Sequence, residues 1–276
     1  MRPIVPQASI AFIGGSGTNS ISFPEDLDNA IAQVRQDRLV FETPFGATPP
    51  FKLFSLQTDN GQEGHVLTVR MHGWRQGVTR AAASRQVFWV LREAGVKRVV
   101  AEGGVGAINH LLRPRDLIVP SDYLDFSLRK DVSLGESHLM SMRRPACPDL
   151  RTLITREAES REPRVFERGV YAVTDGRHFE SPAEVAMFSR LGADVVGQSM
   201  CPEVYLAREI GACYARLDMV VNYAEGVVQD WEHTELKEIF YGDSTRIGRI
   251  ILKVLRQIST DTDCECAGLR WPTMLT

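Results

Sequence analysis

The clearest chemistry in this 276-residue sequence lies near its start, where Gly14-Gly15-Ser16-Gly17 follows the apolar run Ile10-Ala11-Phe12-Ile13. Glycines let the backbone turn sharply and aim successive amides at one point. The Ser16 hydroxyl adds a donor, so the tetrapeptide suits an anion such as phosphate. It serves equally well as a plain turn. It carries no P-loop lysine and lacks the spacing of a dinucleotide fingerprint, so neither nucleotide reading is supported. A second group, Arg70-Met71-His72-Gly73-Trp74-Arg75, puts a permanently charged fork and an imidazole two residues apart. Their ordinary alternatives are a surface ion pair for Arg70 and a satisfied histidine for His72. Of the five cysteines only Cys264 and Cys266 are close in sequence. Two close cysteines fall short of a tetrahedral zinc site, so no metal is expected and the pair reads as free thiols in a flexible tail. Cys147, Cys201 and Cys213 read as small buried residues.

These groups need elements to hold them. Short apolar runs predict strands at 10–13, 51–56, 65–71, 98–101, 116–120, 168–174, 194–196 and 215–221. Apolar residues at helical spacing predict helices at 80–94, 149–160, 182–191, 202–209 and 245–258. Ser181 stands as N-cap and Pro182 in the first helical position of the third. Residues 103–106 read as a second glycine turn, 19–38 as a polar stretch broken by Pro24, and 129–148 as a polar excursion. Strands alternating with helices predict an α/β fold, one domain around a central, largely parallel twisted mixed sheet flanked by helices. No linker, repeat or low-complexity tract divides it, which places a core at about 9–255 and a tail at 259–276.

Composition narrows the partners. A formal charge of -3 with 24% charged residues gives no electrostatic reason to expect nucleic acid or an anionic membrane. No apolar run approaches a membrane span and the N-terminus has no signal-peptide pattern, so the expectation is a soluble cytoplasmic protein.

Several segments together resemble the trimeric purine nucleoside phosphorylase and 5′-methylthioadenosine phosphorylase family. They are the Gly14–Gly17 loop, Thr43-Pro44-Phe45-Gly46, Asp175-Gly176-Arg177-His178-Phe179-Glu180-Ser181-Pro182, and Leu191-Gly192-Ala193-Asp194-Val195-Val196-Gly197-Gln198-Ser199-Met200-Cys201-Pro202-Glu203-Val204. The resemblance implies a homotrimer that cleaves the N-glycosidic bond of a purine nucleoside with phosphate as co-substrate and no cofactor. By that resemblance Ser16, Arg70, His72 and Ser199 hold phosphate. Gly103, Gly104 and Val105 lie along the ribose and base, Gln198 stands beneath the sugar, Phe179 packs on the purine, and Glu180 reads its N–H groups. The 5′ group falls near residues 233–236. Asn222 and Ala224 stand where methylthioadenosine phosphorylases carry two aspartates, which implies a 6-oxopurine base with Asn222 donating to N7. Asn222 and His72 are then the catalytic residues. Arg177, Gln198 and Glu102 depart from the family pattern. The alternatives are a methylthioadenosine phosphorylase, a nucleoside-binding protein without the reaction, and a hydrolase that uses water. The Cys264-Glu265-Cys266 triplet resembles a Cys-x-Cys of some members that forms an easily reduced disulfide.

Overall fold

The apolar runs assemble into one large sheet in the computed structural model, which describes residues 4–28, 30–135, 137–228, 230–260 and 264–273. The strands are β1 (Ile10–Ile13), β2 (Ala32–Leu39), β3 (Glu42–Thr43), β4 (Gly46–Ala47), β5 (Phe51–Gln57), β6 (Glu63–Val69), β7 (Arg98–Ala107) and β8 (Leu117–Ile118). They continue with β9 (Asp122–Asp125), β10 (His138–Met140), β11 (Val165–Phe166), β12 (Val170–Val173), β13 (Val195–Gly197), β14 (Cys213–Tyr223) and β15 (Arg270–Pro272). The helices are α1 (Arg80–Glu93), α2 (Pro148–Glu159), α3 (Pro182–Arg190), α4 (Met200–Glu209) and α5 (His233–Gln257).

The sheet runs β11-β8-β14-β7-β1-β6-β5-β2. Its centre, β14-β7-β1-β6, is parallel. The far half of β7 leaves β1 and pairs antiparallel with β13, which leads on to β12 and β9. The fold is thus a single α/β domain with a mixed, mostly parallel sheet, as expected.

Alternate residues of the central strands enter opposite cores. Ala11, Ile13, Val99 and Ala101 pack with α1 and α4, while Ile10, Phe12 and Val100 pack with α2 and α5. Both faces are covered, which is why these strands read as continuous apolar runs. At α3 the Ser181 hydroxyl accepts from the Glu184 amide and the Glu184 carboxylate accepts from the Ser181 amide, a full capping box. Among the described residues no helix is long and apolar enough to cross a membrane.

Four expectations need correction. Residues 103–106 are not a turn, because β7 runs straight through them to Ala107. Residues 32–38 of the polar stretch join Leu39 in the edge strand β2. Helix α5 begins at His233 rather than at 245, with Leu236, Ile239 and Phe240 extending its apolar face toward the N-terminus. The polar excursion and the tail pair with each other, β10 against β15, so residues 264–273 are packed on the body.

Candidate active site

Strand β7 is the floor of the site. Its glycines leave it bare because side chains would have nowhere to go. A Cβ on Gly103 would lie 2.8 Å from the Arg216 guanidinium, and one on Gly104 would lie 2.7 Å from the Phe240 ring and 3.0 Å from Ser16 Oγ. A cavity of about 320 Å³ opens over these positions. Ser16, His72, Gly103, Gly104, Val105, Phe179, Glu180, Gln198, Ser199, Asn222 and Ala224 all line it. Eleven of the twelve expected site residues are therefore brought together from segments scattered along the chain.

Ser16 meets the floor directly, its Oγ accepting from the Gly104 amide at 2.9 Å. Ser199 precedes α4, and its Oγ accepts from Arg216 Nη2 at 3.0 Å. His72 sits in a left-handed backbone turn (φ 54°), which swings its ring inward until it is only 4% exposed. Its Nδ1 lies 2.7 Å from Glu203 Oε1, and the other Glu203 oxygen accepts from the Tyr214 hydroxyl at 2.8 Å. This clamp leaves Nε2 facing the glycine loop, where a Cβ on Gly15 would lie 2.6 Å from it.

Arg70 is the exception. It is exposed, donates to the Asn19 carbonyl, and lines a separate hollow with Lys52 and Arg38. The backbone turns left-handed at Met71 (φ 47°) and His72, so Met71 faces the cavity and Arg70 points away. The glycine loop is also not open to an anion. Its Gly15 and Thr18 amides and the Thr18 hydroxyl donate to one oxygen of Glu102, at 2.5, 3.0 and 2.6 Å. Glu102 is fully buried, and its second oxygen has no hydrogen-bond partner among the described residues.

Burial pushes the Glu102 carboxyl up, against hydrogen bonds from Thr18 and Gly15 that pull it down. The folded chain thus keeps this proton to higher pH than the unfolded chain does. Folding stability is therefore lost as pH rises through the window above the ordinary carboxyl value. Glu102→Gln keeps an accepting oxygen for the loop and removes the charge, so it is expected to flatten that loss. Urea midpoints from acid to neutral pH check this, and equal slopes for both proteins would refute it.

At the other end of the floor, a Cβ on Gly106 would lie 3.5 Å from Ala224. Strand β14 slips register between Val220 and Asn222, and this bulge re-aims Asn222 into the cavity. The Asn222 amide donates to the Tyr223 carbonyl at 2.7 Å. Glu180 is 6% exposed and accepts from the Thr174 hydroxyl at 2.5 Å. Phe179 stands at the rim, 50% exposed, edge-on to Trp231 with centroids 4.8 Å apart. Gln198 Oε1 accepts from Arg80 Nη1 at 2.7 Å, and the Arg80 guanidinium stacks 3.9 Å over the Trp74 ring. Leu236 and Phe240 from α5 add apolar wall. The side chain of His233 lies outside the described residues.

Sequence reasoning missed the layer beneath the floor. Arg216 and Asp218 are fully buried and doubly bonded, Nε to Oδ2 at 2.7 Å and Nη2 to Oδ1 at 2.5 Å. Burial alone would lower the Arg216 guanidinium, and the Asp218 carboxylate more than reverses this, holding it well above its ordinary value. A signal existed: an arginine and an aspartate two apart on a strand share one face, inside an otherwise apolar run. The cysteines differ too. Cys264 and Cys266 are not loose but gather with Cys147 and Cys213.

The profile of the phosphorylase superfamily matches residues 9–256. The chain belongs to that superfamily. It is 32% identical over 265 residues to a probable 6-oxopurine nucleoside phosphorylase of Moorella thermoacetica, covering 94% of this chain and 96% of that one. It is 35% identical over 188 residues to a probable S-methyl-5′-thioinosine phosphorylase of Methanopyrus kandleri, covering 66% and 73%. The crystal structure of a methylthioadenosine phosphorylase from an antarctic soil metagenomic library superposes with TM-score 0.79 at 22% identity, covering 95% and 91%.

Proposed function

We propose that this chain is a purine nucleoside phosphorylase. It transfers the pentosyl group of a 6-oxopurine nucleoside to inorganic phosphate and releases the free base and the sugar 1-phosphate. The observation that carries this reading is the single cavity along Gly103–Gly106, with Ser16, His72 and Ser199 near one end and Asn222 and Ala224 near the other. Its volume lies near the lower end of small-molecule pockets, roughly 300–1,000 Å³. The names of the two relatives, a 6-oxopurine and a thioinosine enzyme, support the choice of base.

In this reading phosphate sits between the Ser16 and Ser199 hydroxyls and His72 Nε2. As the C1′–N bond breaks, its electron pair passes to the base and the sugar takes on oxocarbenium character, as in other glycosyl transfers. The free N–H of Asn222 stabilises the charge arriving on the base at N7, and a phosphate oxygen closes onto C1′. No residue forms a covalent intermediate, and the reaction needs no metal or organic cofactor. The working form is a homotrimer in the cytoplasm; a scattering mass three times the 30.8 kDa chain checks the assembly.

A second reading, with water as acceptor, is favoured by one pair of observations. Glu102 already occupies the loop amides, and Arg70 lies outside the cavity. Inosine, 5′-methylthioinosine and 5′-methylthioadenosine, each with and without phosphate, separate the two. Base release from the inosines that requires phosphate upholds the proposal. Release of free sugar without phosphate establishes the hydrolase, methylthioadenosine cleavage overturns the base assignment, and inert substrates overturn both readings.

A further inference from the structure

Four cysteines from three distant segments converge away from the cavity. Cys147 immediately precedes α2, Cys213 opens β14, and Cys264 and Cys266 come from the tail. Their Sγ atoms all lie within 4.8 Å of one another. Four sulfurs around one zinc at about 2.3 Å stand roughly 3.8 Å apart, so this cluster needs only small side-chain adjustments to become tetrahedral. The 3.0 Å separation between Cys213 and Cys264 has to open slightly, and all four are free thiols.

The surroundings favour thiolates. Arg98 is 3% exposed, and its Nη1 donates to Cys213 Sγ at 2.6 Å and to Cys264 Sγ at 3.3 Å. Its Nε donates to the Ser259 carbonyl, and no carboxylate among the described residues pairs with its charge. A buried guanidinium with sulfur partners and no carboxylate calls for negative sulfur. Cys147 is the N-cap residue of α2, so the positive end of that helix is a second positive influence. The segment that supplies the last two sulfurs is anchored for the purpose. Arg208 donates to the Cys266 carbonyl at 3.2 Å, Arg270 to the Glu209 carbonyl, and β15 pairs with β10.

We propose that Cys147, Cys213, Cys264 and Cys266 form a closed, four-thiolate structural zinc site that fastens the C-terminal segment to α2 and β14. Each thiol gives its proton to solvent as it binds, and no electron changes hands. The two excess negative charges of the filled site face Arg98 and the start of α2. This replaces the expectation of no metal, which rested on two neighbouring cysteines.

The test uses the full chain, expressed with zinc in the medium and purified without chelator. Elemental analysis is expected to find one zinc per chain. Cys264→Ser, at the half-buried ligand, should lose most of it, and Cys201→Ser, at the one cysteine outside the cluster, should keep it. Cobalt added to reduced, metal-free protein should give the intense visible absorption of a tetrahedral thiolate site, absent in Cys264→Ser. Circular dichroism confirms that each variant is folded. A folded, fully reduced chain that takes up neither zinc nor cobalt would overturn the proposal. So would zinc retained equally by Cys264→Ser.

Discussion

Replacing Arg216 by methionine is expected to cost about 3–5 kcal/mol of folding free energy, the range for stripping one partner from a buried ion pair. Asp218 would be left with no counter-charge in a site that is 0% exposed, where it must either stay charged in a dry interior or take up a proton. Ser199 Oγ would lose its donor as well. Urea denaturation of Arg216→Met measures the loss, and a change under about 1 kcal/mol would contradict it. The double variant Arg216→Met, Asp218→Leu should recover much of the stability, because an apolar pair of similar volume suits a dry interior. It should not recover activity, because Ser199 would no longer be oriented by Arg216. Stability and turnover would then part company, marking Arg216 as a positioning residue as well as a structural one.

The second large effect is at Asn222. Its alanine variant is expected to lower kcat/KM for inosine about 10²–10³-fold, the usual consequence of removing one donor aimed at charge that develops in the transition state. The lost contact with the Tyr223 carbonyl is a single hydrogen bond, so unfolding free energy should fall by only about 1 kcal/mol. Steady-state kinetics and urea melts on the same preparation decide it. Losses of equal size in both would mean that Asn222 merely holds the β14 bulge.

Much of this site could be read before any coordinates. The strand-and-glycine signature at Ile10–Gly17 is a local pattern, the Phe179-Glu180 and Gln198-Ser199 pairs stand out through the family resemblance, and residues of all three reach the cavity. What failed depended on contacts across the chain. Gly103 and Gly104 read as a turn because glycine is locally a breaker. The reason for them is the crowd of Arg216, Phe240 and Ser16 around a straight strand. Arg70 and Met71 exchanged places because two successive left-handed residues reverse which side chain faces inward. Glu102 was noted only as a departure, and its role appears once the loop amides are seen to close on it. The cysteine cluster joins positions 51 residues apart in the case of Cys213 and Cys264, far beyond any local pattern.

The cavity wall runs from Ser16 to Phe240, and α5 packs on the turn that carries Ser16. A ribosome must therefore release the chain through α5 before the substrate site can close. An emerging N-terminal portion holds the glycine loop and half the floor with nothing to close over them. Premature termination before α5 removes Leu236 and Phe240 from the wall and leaves the cavity open on that side.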